Sequence, residues 1–504
     1  MNLASHLERW AVERPDHPAV LFEGRRTSYA ELDAAASRLA HALRAHGVGA
    51  GDRVALYLPN IAEYLVTYYA AQKLGAITVA INAVLRTAEV EYLLVDSGAK
   101  VVFTVAELVP FVPRERCPAL GQIVVCEGDA PPGTATLAGW SAGGDAHLAG
   151  IDCAADAAAA LLYSSGTTGF PKGVTLTQSN VASNAAAAAR YSGYRGDDRL
   201  AAFLPLFHVY GQNYIMNAAV HAGATLVLFR RYAPEQVLQA IARERVTMFF
   251  GVPTIFIGLL AMDPAQLDLS SIRYEMSAAA TMPEEISRRW TERFGRRVYE
   301  GYGLTECSPF ACYNDLVEHR FGSVGRAVEG FELAIFDASE RELPRGEWGE
   351  IVIRGPGVMQ GYWNRPQDTA QALRGGWLHS GDIGRMDADG YVYIVDRVKD
   401  MINVSGFKVW PAEVEQYLYK LPQVQEVAVY GAPHPDKGEQ VVVAAVARPG
   451  QTLTAEGVIA FCRAHIAAYK VPARVDIVAE LPKSPTGKIL KRILREQAAK
   501  SSQA

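Results

Sequence analysis

The sequence predicts a protein of mixed α/β and α+β class with more than one domain. Its 504 residues exceed the usual size of a single hydrophobic core. Helix and strand patterns alternate up to about residue 330, shorter strands and hairpins follow, and the last part of the chain alternates again on a smaller scale. We therefore expect a large N-terminal domain of helix-covered sheets over residues 1–395 and an α+β C-terminal domain over residues 400–504.

The early elements alternate between helix and strand. An amphipathic helix is predicted at the N-terminus, and a second begins at Ser28, where Glu31 completes a capping box, and ends before Gly47. The next predicted elements are strand 54–58, helix 64–74, strand 76–81, strand 225–229 and strand 246–250. Sheets formed by such strands need helices to cover their faces.

Shorter strands are typical of the chain after about residue 330. A strand is predicted over 350–354, and the Asp389-Gly390 pair predicts a hairpin turn between residues 385–386 and 391–395. The C-terminal elements are predicted as helix 411–421, strand 424–430, strand 440–446, helix 454–466 and strand 474–478.

Composition excludes several classes of protein. With 50% hydrophobic and 20% charged residues the chain is neither disordered nor fibrous, and a net charge of -5 does not favour nucleic acid or an anionic membrane as an obligatory partner. Its six cysteines form no C-x-x-C pair, which suits reduced thiols. The N-terminus lacks a signal-peptide core and no apolar run is long enough to span a bilayer. We expect a soluble, cytoplasmic protein without integral membrane association.

A loop rich in glycine and hydroxyl groups follows an apolar run at residues 163–174, which read YSSGTTGFPKGV. Its glycines permit conformations that expose successive N–H groups, and Lys172 adds a positive charge, so the loop suits an oligophosphate. The residues that would hold it are Ser164, Ser165, Gly166, Thr167, Thr168, Gly169 and Lys172. The loop is not a Walker A motif, because Gly173 rather than Ser or Thr follows Lys172. Composition alone also allows a plain turn between strands.

Four further motifs follow in the chain: YEGYGLTE at 299–306, GWLHSGD at 376–382, VDRVKDMINVSGFK at 395–408 and PKSPTGK at 482–488. In this order, and with the loop, they resemble the motifs of the adenylate-forming superfamily, which includes acyl-CoA synthetases, coumarate:CoA ligases, luciferases and nonribosomal peptide adenylation domains. The resemblance covers nearly the whole chain. Its acyl-CoA synthetase branch, the fatty-acid:CoA ligases, consists of acid–thiol ligases of lipid metabolism that use ATP, CoA and Mg²⁺.

The resemblance also implies an architecture and a reaction. A small barrel subdomain would begin at about residue 330, and a hinge over 396–399, centred on Lys399, would let the C-terminal domain rotate. A carboxylate would attack the α-phosphorus of ATP to give acyl-AMP and pyrophosphate, and a thiol would then release AMP. Both steps need charge neutralisation more than acid–base groups.

The nucleotide would contact several motif residues. Glu306 would bind Mg²⁺, Thr305 would donate to the α-phosphate, and Tyr302 would stack on adenine. Asp382 and Arg397 would bind the ribose hydroxyls, although Asp382 taken alone is typical of a turn aspartate after Gly381. The remaining expected contacts of ATP or AMP are Ala279, Glu300, Gly301 and Gly303.

Lys488 would reach into the site during adenylation and bridge the acid and the α-phosphate. A solvated basic face is the alternative, because Lys483, Lys491, Arg492 and Arg495 lie nearby. The Pro-Thr-Gly turn before Lys488 separates it from that face and favours the catalytic role. Residues expected to act directly in catalysis are Lys488, Thr168, His208 and Glu306.

The thiol and the acid would enter by different routes. After domain rotation the thiol channel would be lined by Ser405, Gly406, Phe407 and Lys408. His208, within PLFHVYG at 205–211, would gate the channel from the acyl pocket, although a lone histidine in an apolar run is more often a core residue. The acyl pocket would be lined by His208, Tyr210, Val252, Ala278 and Ala280.

The acid is the least determined substrate. The segments expected to line its pocket contain no arginine or lysine that could pair with a second carboxylate, so a dicarboxylic acid is disfavoured. A medium- or long-chain fatty acid is the first hypothesis and an aryl or cinnamic-type acid the second. Two further alternatives remain: transfer of the acyl group to an acyl carrier protein, and a nucleotide-binding protein that no longer catalyses.

Overall fold

The computed structural model of this chain describes residues 1–164, 171–263, 268–314, 318–397, 400–434 and 437–501. Its helices are α1 (Ala4–Glu13), α2 (Tyr29–Ala45), α3 (Ala62–Lys73), α4 (Thr87–Ser97), α5 (Leu137–Ser141), α6 (Gln178–Tyr191), α7 (Ala218–Ala222), α8 (Pro234–Glu244), α9 (Pro253–Ala261), α10 (Glu284–Phe294), α11 (Pro366–Ala372), α12 (Pro411–Leu418), α13 (Ala455–His465) and α14 (Lys491–Ser501). Among the described residues, no helix is long and apolar enough to cross a membrane.

Two large sheets form the N-terminal part. The first runs in the order β19-β9-β8-β4-β3-β5-β6-β7. These strands are β3 (Arg53–Tyr57), β4 (Ile77–Ala80), β5 (Val101–Thr104), β6 (Gln122–Val125), β7 (Ala135–Thr136), β8 (Ala158–Ser164), β9 (Lys172–Thr177) and β19 (Gly361–Tyr362). Strands β3 to β8 pair in parallel, whereas β9 and β19 are antiparallel additions at one edge.

The second large sheet runs in the order β16-β15-β14-β13-β12-β10-β11-β1-β2. Its strands are β1 (Pro18–Phe22), β2 (Arg25–Ser28), β10 (Arg199–Ala202), β11 (Thr225–Leu228), β12 (Met248–Gly251), β13 (Tyr274–Ser277), β14 (Tyr299–Tyr302), β15 (Cys312–Tyr313) and β16 (Arg326–Ala327). Its central strands are parallel, mostly apolar and almost wholly buried, which is typical of a parallel sheet covered on both faces. One continuous core joins the two sheets.

Two smaller sheets follow. The segment predicted as a small barrel forms an antiparallel sheet in the order β17-β18-β20-β21. Its strands are β17 (Glu332–Phe336), β18 (Gly349–Arg354), β20 (Leu378–Met386) and β21 (Val392–Arg397). The C-terminal sheet has the order β23-β22-β25-β24, with β26 parallel to β25. Its strands are β22 (Ile402–Val404), β23 (Phe407–Val409), β24 (Val424–His434), β25 (Gly438–Ala447) and β26 (Arg474–Ile477).

Local predictions hold well in this fold. The Ser28 side chain accepts from the Glu31 backbone and the Glu31 carboxylate accepts from the Ser28 backbone, which confirms the capping box of α2. The Asp389-Gly390 turn joins β20 to β21, with Gly390 at φ 86°. β21 was predicted to end at residue 395, which is wrong: pairing of Asp382 with Arg397 extends the strand to Arg397.

Candidate active site

The two ends of the predicted phosphate loop lie side by side. Ser164 ends β8, Lys172 begins β9, and the two residues are direct partners in the antiparallel pairing of these strands. The loop residues between them, Ser165, Gly166, Thr167, Thr168 and Gly169, fall outside the described residues. The strand pairing therefore fixes where the loop leaves and rejoins the sheet.

Glu306 joins the loop to the second motif. It lies in the single 3-10 turn Thr305–Cys307 that follows β14. Its Oε1 atom accepts hydrogen bonds from the Ser164 hydroxyl at 3.1 Å and from the Tyr362 hydroxyl at 3.0 Å. Its Oε2 atom has no hydrogen-bond partner among the described residues. Among the residues that the structure describes, the carboxylate is thus held through one oxygen only.

Tyr362 and Asp368 contact predicted site residues, but the motifs did not reveal them. Lys172 Nζ donates to Asp368 Oδ1 at 2.5 Å and lies 5.2 Å from the centre of the Tyr362 ring. Tyr362 reaches this position because β19 pairs with β9, which sets Tyr362 opposite Val174. Both residues follow the predicted strand 350–354. The sequence around them has no local pattern that indicates a strand paired with β9.

Tyr302, Asp382 and Arg397 form a hydrogen-bonded group. The Tyr302 hydroxyl donates to Asp382 Oδ2 at 2.8 Å, and Arg397 Nε lies 3.2 Å from Asp382 Oδ1. Asp382 is buried within β20, where it pairs with Arg397 of β21, so its interpretation as a turn aspartate is wrong. Burial raises the pKa of Asp382, and the Arg397 guanidinium opposes that rise.

The YEGYG segment is tightly packed. Glu300 is 3% exposed, and burial raises the pKa of its carboxyl to about 8, so it carries its proton at neutral pH. A Cβ atom on Gly303 would lie 1.7 Å from the Pro309 carbonyl oxygen. At the neighbouring Gly301 a Cβ atom would meet Met276 Cε, the end of a flexible side chain. Packing therefore requires glycine at position 303, where the obstacle is backbone, whatever that residue does for a nucleotide.

Small residues follow β13. Ala279 has φ 72°, an unusual backbone conformation for a residue with a side chain. Ala278 is partly buried, while Ala280, which we expected in the acyl pocket, is exposed. Ser277, the strand partner of Glu300, has a buried hydroxyl without a hydrogen-bond partner among the described residues.

The charge of Lys488 interacts with the charges of Asp382 and Arg397, the predicted ribose contacts. Burial and the nearby Arg397 charge lower its pKa to about 8, and Asp382 opposes that shift. Burial, together with the charge of Lys488, lowers the pKa of His208 to about 3. Lys488 is therefore partly buried and within electrostatic range of Arg397, Asp382 and His208.

Two of the residues predicted for the acyl pocket, Val252 and Tyr210, are buried. Val252 is buried just before α9 and faces Gly487. Tyr210 begins the π-helical segment Tyr210–Asn217, and its backbone N–H donates to His208 Nδ1 at 3.2 Å. The buried Tyr210 hydroxyl has no hydrogen-bond partner among the described residues.

The predicted thiol-channel residues lie apart from this group. Ser405 and Gly406 form the turn between β22 and β23, where the Gly406 N–H donates to Asn403 Oδ1 at 3.0 Å. Phe407 is 56% exposed and stacks on Tyr469 at 4.8 Å, and Lys408 is exposed as well. The predicted hinge residue Lys399 falls outside the described residues.

A cavity of about 590 Å³ adjoins the Lys488 turn. Most of its walls are apolar, and they include Pro205, Phe207, Thr254, Ile255, Met262 and Gly487. The cavity therefore lies at the junction between the N-terminal part of the chain and the segment that carries Lys488.

Comparison with known families accounts for this arrangement. The profile of AMP-binding enzymes matches residues 7–363, and that of the AMP-binding enzyme C-terminal domain matches residues 413–488. The chain belongs to the AMP-binding enzyme family. Its predicted membership of the adenylate-forming superfamily is thereby confirmed.

Individual relatives of this AMP-binding enzyme agree. A long-chain-fatty-acid–CoA ligase of Bacillus subtilis (strain 168) is 35% identical over 529 residues, covering 98% of this chain and 94% of that protein. A feruloyl-CoA synthase of an Amycolatopsis species is 36% identical over 498 residues, covering 97% and 99%. The crystal structure of the anthranilate CoA ligase AuaEII in complex with anthranoyl-AMP matches with a TM-score of 0.94 at 32% identity, covering 100% and 98%. The fold class and the enzyme class, an acid–thiol ligase, are confirmed.

Proposed function

We propose that this enzyme is an ATP-dependent acyl-CoA ligase that activates a monocarboxylic acid through an acyl-AMP intermediate. The observation that carries the proposal is that Lys488 lies within electrostatic range of the Asp382–Arg397 pair, which brings the C-terminal lysine to the predicted ribose contacts. In the first step a carboxylate oxygen bonds to the α-phosphorus of ATP, and the bond to the β-phosphate oxygen breaks to release pyrophosphate.

Positive charge and hydrogen-bond donors dominate the first step. Lys488 would bridge the acid and the α-phosphate, while Lys172 and the Ser164 hydroxyl would face the leaving pyrophosphate. Asp382 would accept hydrogen bonds from ribose hydroxyls. The acid is ionised at neutral pH, so no general base is needed.

Magnesium fits the donor set at Glu306. A hard cation that keeps several waters needs one carboxylate oxygen, and Oε2 of Glu306 has no competing partner among the described residues. When bound, Mg²⁺ would neutralise charge on the phosphates. The Ser164 and Tyr362 hydroxyls would orient the carboxylate through Oε1.

In the second step the CoA thiol would release its proton to solvent, its thiolate sulfur would bond to the acyl carbon, the bond between the acyl carbon and the phosphate oxygen would break, and AMP would leave. His208 is neutral throughout the physiological range, because its pKa is about 3, so it would act as an uncharged gate rather than a base. The turn formed by Ser405 to Lys408 would line the thiol channel after the C-terminal domain rotates about Lys399.

For the acid we propose a medium- or long-chain fatty acid. The support is the apolar character of Val252, Ala278 and their neighbours, and the 35% identity to a long-chain-fatty-acid–CoA ligase. No arginine or lysine lies in the segments 207–212, 249–255 and 278–282, so a second carboxylate would find no partner there.

An aryl acid is the second candidate, and one observation favours it. The buried Tyr210 hydroxyl lacks a hydrogen-bond partner among the described residues, and an unpaired buried hydroxyl costs free energy that a polar ring substituent could recover. The 36% identity to a feruloyl-CoA synthase points the same way.

A panel of acids tests the proposal. Purified enzyme is incubated with ATP, Mg²⁺ and each acid from butyrate to palmitate, together with ferulate, benzoate and malonate, and pyrophosphate release is measured. We expect release with octanoate or longer acids and none with malonate. Release with ferulate alone would favour the aryl candidate, and no acid-dependent release would indicate a non-catalytic homologue. Repeating the assay with CoA and with a phosphopantetheinylated carrier protein identifies the acceptor.

A further inference from the structure

The turn that presents Lys488 is closed by its own hydrogen bonds. The Ser484 N–H donates to the Lys488 carbonyl oxygen and the Gly487 N–H to the Ser484 carbonyl oxygen, each at 2.8 Å. The Ser484 hydroxyl also accepts from the Lys488 N–H at 3.1 Å. The turn therefore holds its shape within the C-terminal part and can move as a unit.

A direct hydrogen bond joins this turn to the N-terminal part of the chain. The Thr254 hydroxyl donates to the Gly487 carbonyl oxygen at 2.9 Å. Thr254 lies in the first turn of α9, so its own position is set by a helix whose apolar face is buried in the core. The bond joins residues that are 233 positions apart in the sequence.

Gly487 meets α9 so closely that only glycine fits. A Cβ atom there would lie 2.8 Å from Val252 Cγ2 and 3.2 Å from Thr254 Oγ1, and the residue has φ 84°. The backbone of the turn is thus seated against Val252 and Thr254, and the next residue is Lys488.

We propose that Thr254 is a positioning residue that holds the Lys488 turn in place for the adenylation step. The inference rests on the proposed function, since it assumes that Lys488 acts in that step. A lysine has a flexible stem, so the position of its ammonium depends on how firmly its backbone is held. Thr254 is only partly buried and borders the 590 Å³ cavity, so its hydroxyl can be hydrated when the turn leaves. The hydrogen bond from Thr254 to Gly487, which we call the latch, can therefore break and form again.

The test separates the two half-reactions. Thr254→Val keeps the branched shape but removes the donor, and Thr254→Ser keeps the donor. We expect Thr254→Val to lower the rate of acid-dependent pyrophosphate release by about 2- to 10-fold, the loss of one neutral hydrogen bond. Thioester formation from supplied acyl-AMP and CoA should fall by less than pyrophosphate release does, and an unfolding temperature close to that of the wild type would show that the variant is folded. Thr254→Ser should restore the first rate.

Three results would contradict this role of Thr254. Both half-reactions could slow equally in Thr254→Val, pyrophosphate release could slow as much in Thr254→Ser as in Thr254→Val, or pyrophosphate release in Thr254→Val could proceed at the wild-type rate. Lys488→Ala is the reference that separates this failure from failure of the proposed function. If Lys488→Ala abolishes adenylation while Thr254→Val does not slow it, the latch alone is wrong. If Lys488→Ala adenylates as fast as wild type, the assigned role of Lys488 and the latch are both wrong.

Discussion

Burial changes the acid–base behaviour of individual side chains at the site. Glu300 has its pKa raised to about 8, Lys488 has its pKa lowered to about 8, and His208 has its pKa lowered to about 3. In each case loss of hydration disfavours the charged form. Near neutral pH the site therefore contains a protonated carboxyl, a neutral imidazole and an ammonium close to its titration range.

The lowered pKa of Lys488 predicts a pH dependence for adenylation. The ammonium form is needed, and it is lost as the pH rises through about 8 rather than through the ordinary value of 10.5. We expect kcat/KM for acid-dependent pyrophosphate release to fall about tenfold per pH unit above that point. Lys488→Arg, if it adenylates, should not show this fall, because guanidinium stays charged. An unchanged alkaline limb in Lys488→Arg would assign it to another group.

Glu300 predicts a dependence of stability on pH. In the unfolded chain its carboxyl loses a proton near pH 4.5, but in the folded protein only near pH 8. Between these values the folded state holds the extra proton, so a rising pH lowers the free energy of unfolding of the wild type. The Glu300→Gln variant has no carboxyl at this position, so its free energy of unfolding does not decrease in this way as the pH rises. We expect its unfolding temperature to exceed that of the wild type by a margin that grows from pH 5 to pH 8 and then levels.

The matched control for Glu300→Gln is Glu347→Gln at an exposed position. Its unfolding temperature should follow that of the wild type at every pH. If the difference in unfolding temperature between Glu300→Gln and the wild type does not change from pH 5 to pH 8, as expected for the control, the Glu300 carboxyl is not protonated at neutral pH.

At the scale of elements, short edge strands bring the phosphate-site residues together. β19 has two residues, yet its pairing with β9 places Tyr362 beside Lys172 and within reach of Glu306. α11 follows at once, and Asp368 lies in its first turn, where a helix N-terminus favours negative charge. Lys172 is thus held by a carboxylate at the place where we propose that pyrophosphate binds.

We expect Asp368→Asn to bind pyrophosphate more tightly. Asp368 competes with phosphate for Lys172, and its side chain is 39% exposed, so the ion pair is of modest strength. Removing it should lower the KM for ATP and the inhibition constant of pyrophosphate by roughly 2- to 5-fold. Product inhibition measured at several ATP concentrations checks this. A higher KM for ATP would instead indicate that Asp368 takes part in binding the metal or the nucleotide.

The control for Asp368→Asn is Glu332→Gln, which removes a solvent-exposed ion pair with Arg354 on another sheet. It should leave both constants unchanged.

Elements with strong local signals were predicted well. The capping box of α2, the β20–β21 hairpin and the C-terminal order of helices and strands follow from residues close together in sequence. β19 was not predicted, because a two-residue strand has no periodicity and exists through its pairing with β9. For the same reason Tyr362 and Asp368 could not be found from the motifs.

At the scale of the whole molecule, the C-terminal segment contributes Lys488 to a site built mainly from the N-terminal part. Lys488 lies within electrostatic range of Asp382 and Arg397, while the turn at Ser405 and Gly406 donates hydrogen bonds to Asn403 in β22 and to Lys437 just before β25. In this arrangement of the chain, Lys488, which we propose for adenylation, lies near the predicted nucleotide contacts. The turn proposed for the thiol step makes its hydrogen bonds elsewhere.

This arrangement predicts opposite defects in two variants. Lys488→Ala should lower acyl-AMP formation by about 10²- to 10³-fold and leave conversion of supplied acyl-AMP to thioester intact. Gly406→Leu should do the reverse. A Cβ at Gly406 would meet no atom within 4 Å here, so backbone strain at its φ of 89° in an exposed turn is the main cost to folding, whereas a bulky side chain would obstruct a thiol channel. Assay of both half-reactions in both variants checks this. Equal loss of both steps in each variant would contradict a movement between two arrangements.

Sequence alone determined the family, the order of most elements and the chemistry available to the phosphate loop, because these depend on residue types at short spacing. Only the tertiary structure decided what meets those residues: Asp368 at Lys172, Tyr362 at Glu306 and Thr254 at Gly487. These contacts span 196, 56 and 233 positions. They arise from strand pairing and from packing of the C-terminal turn on α9.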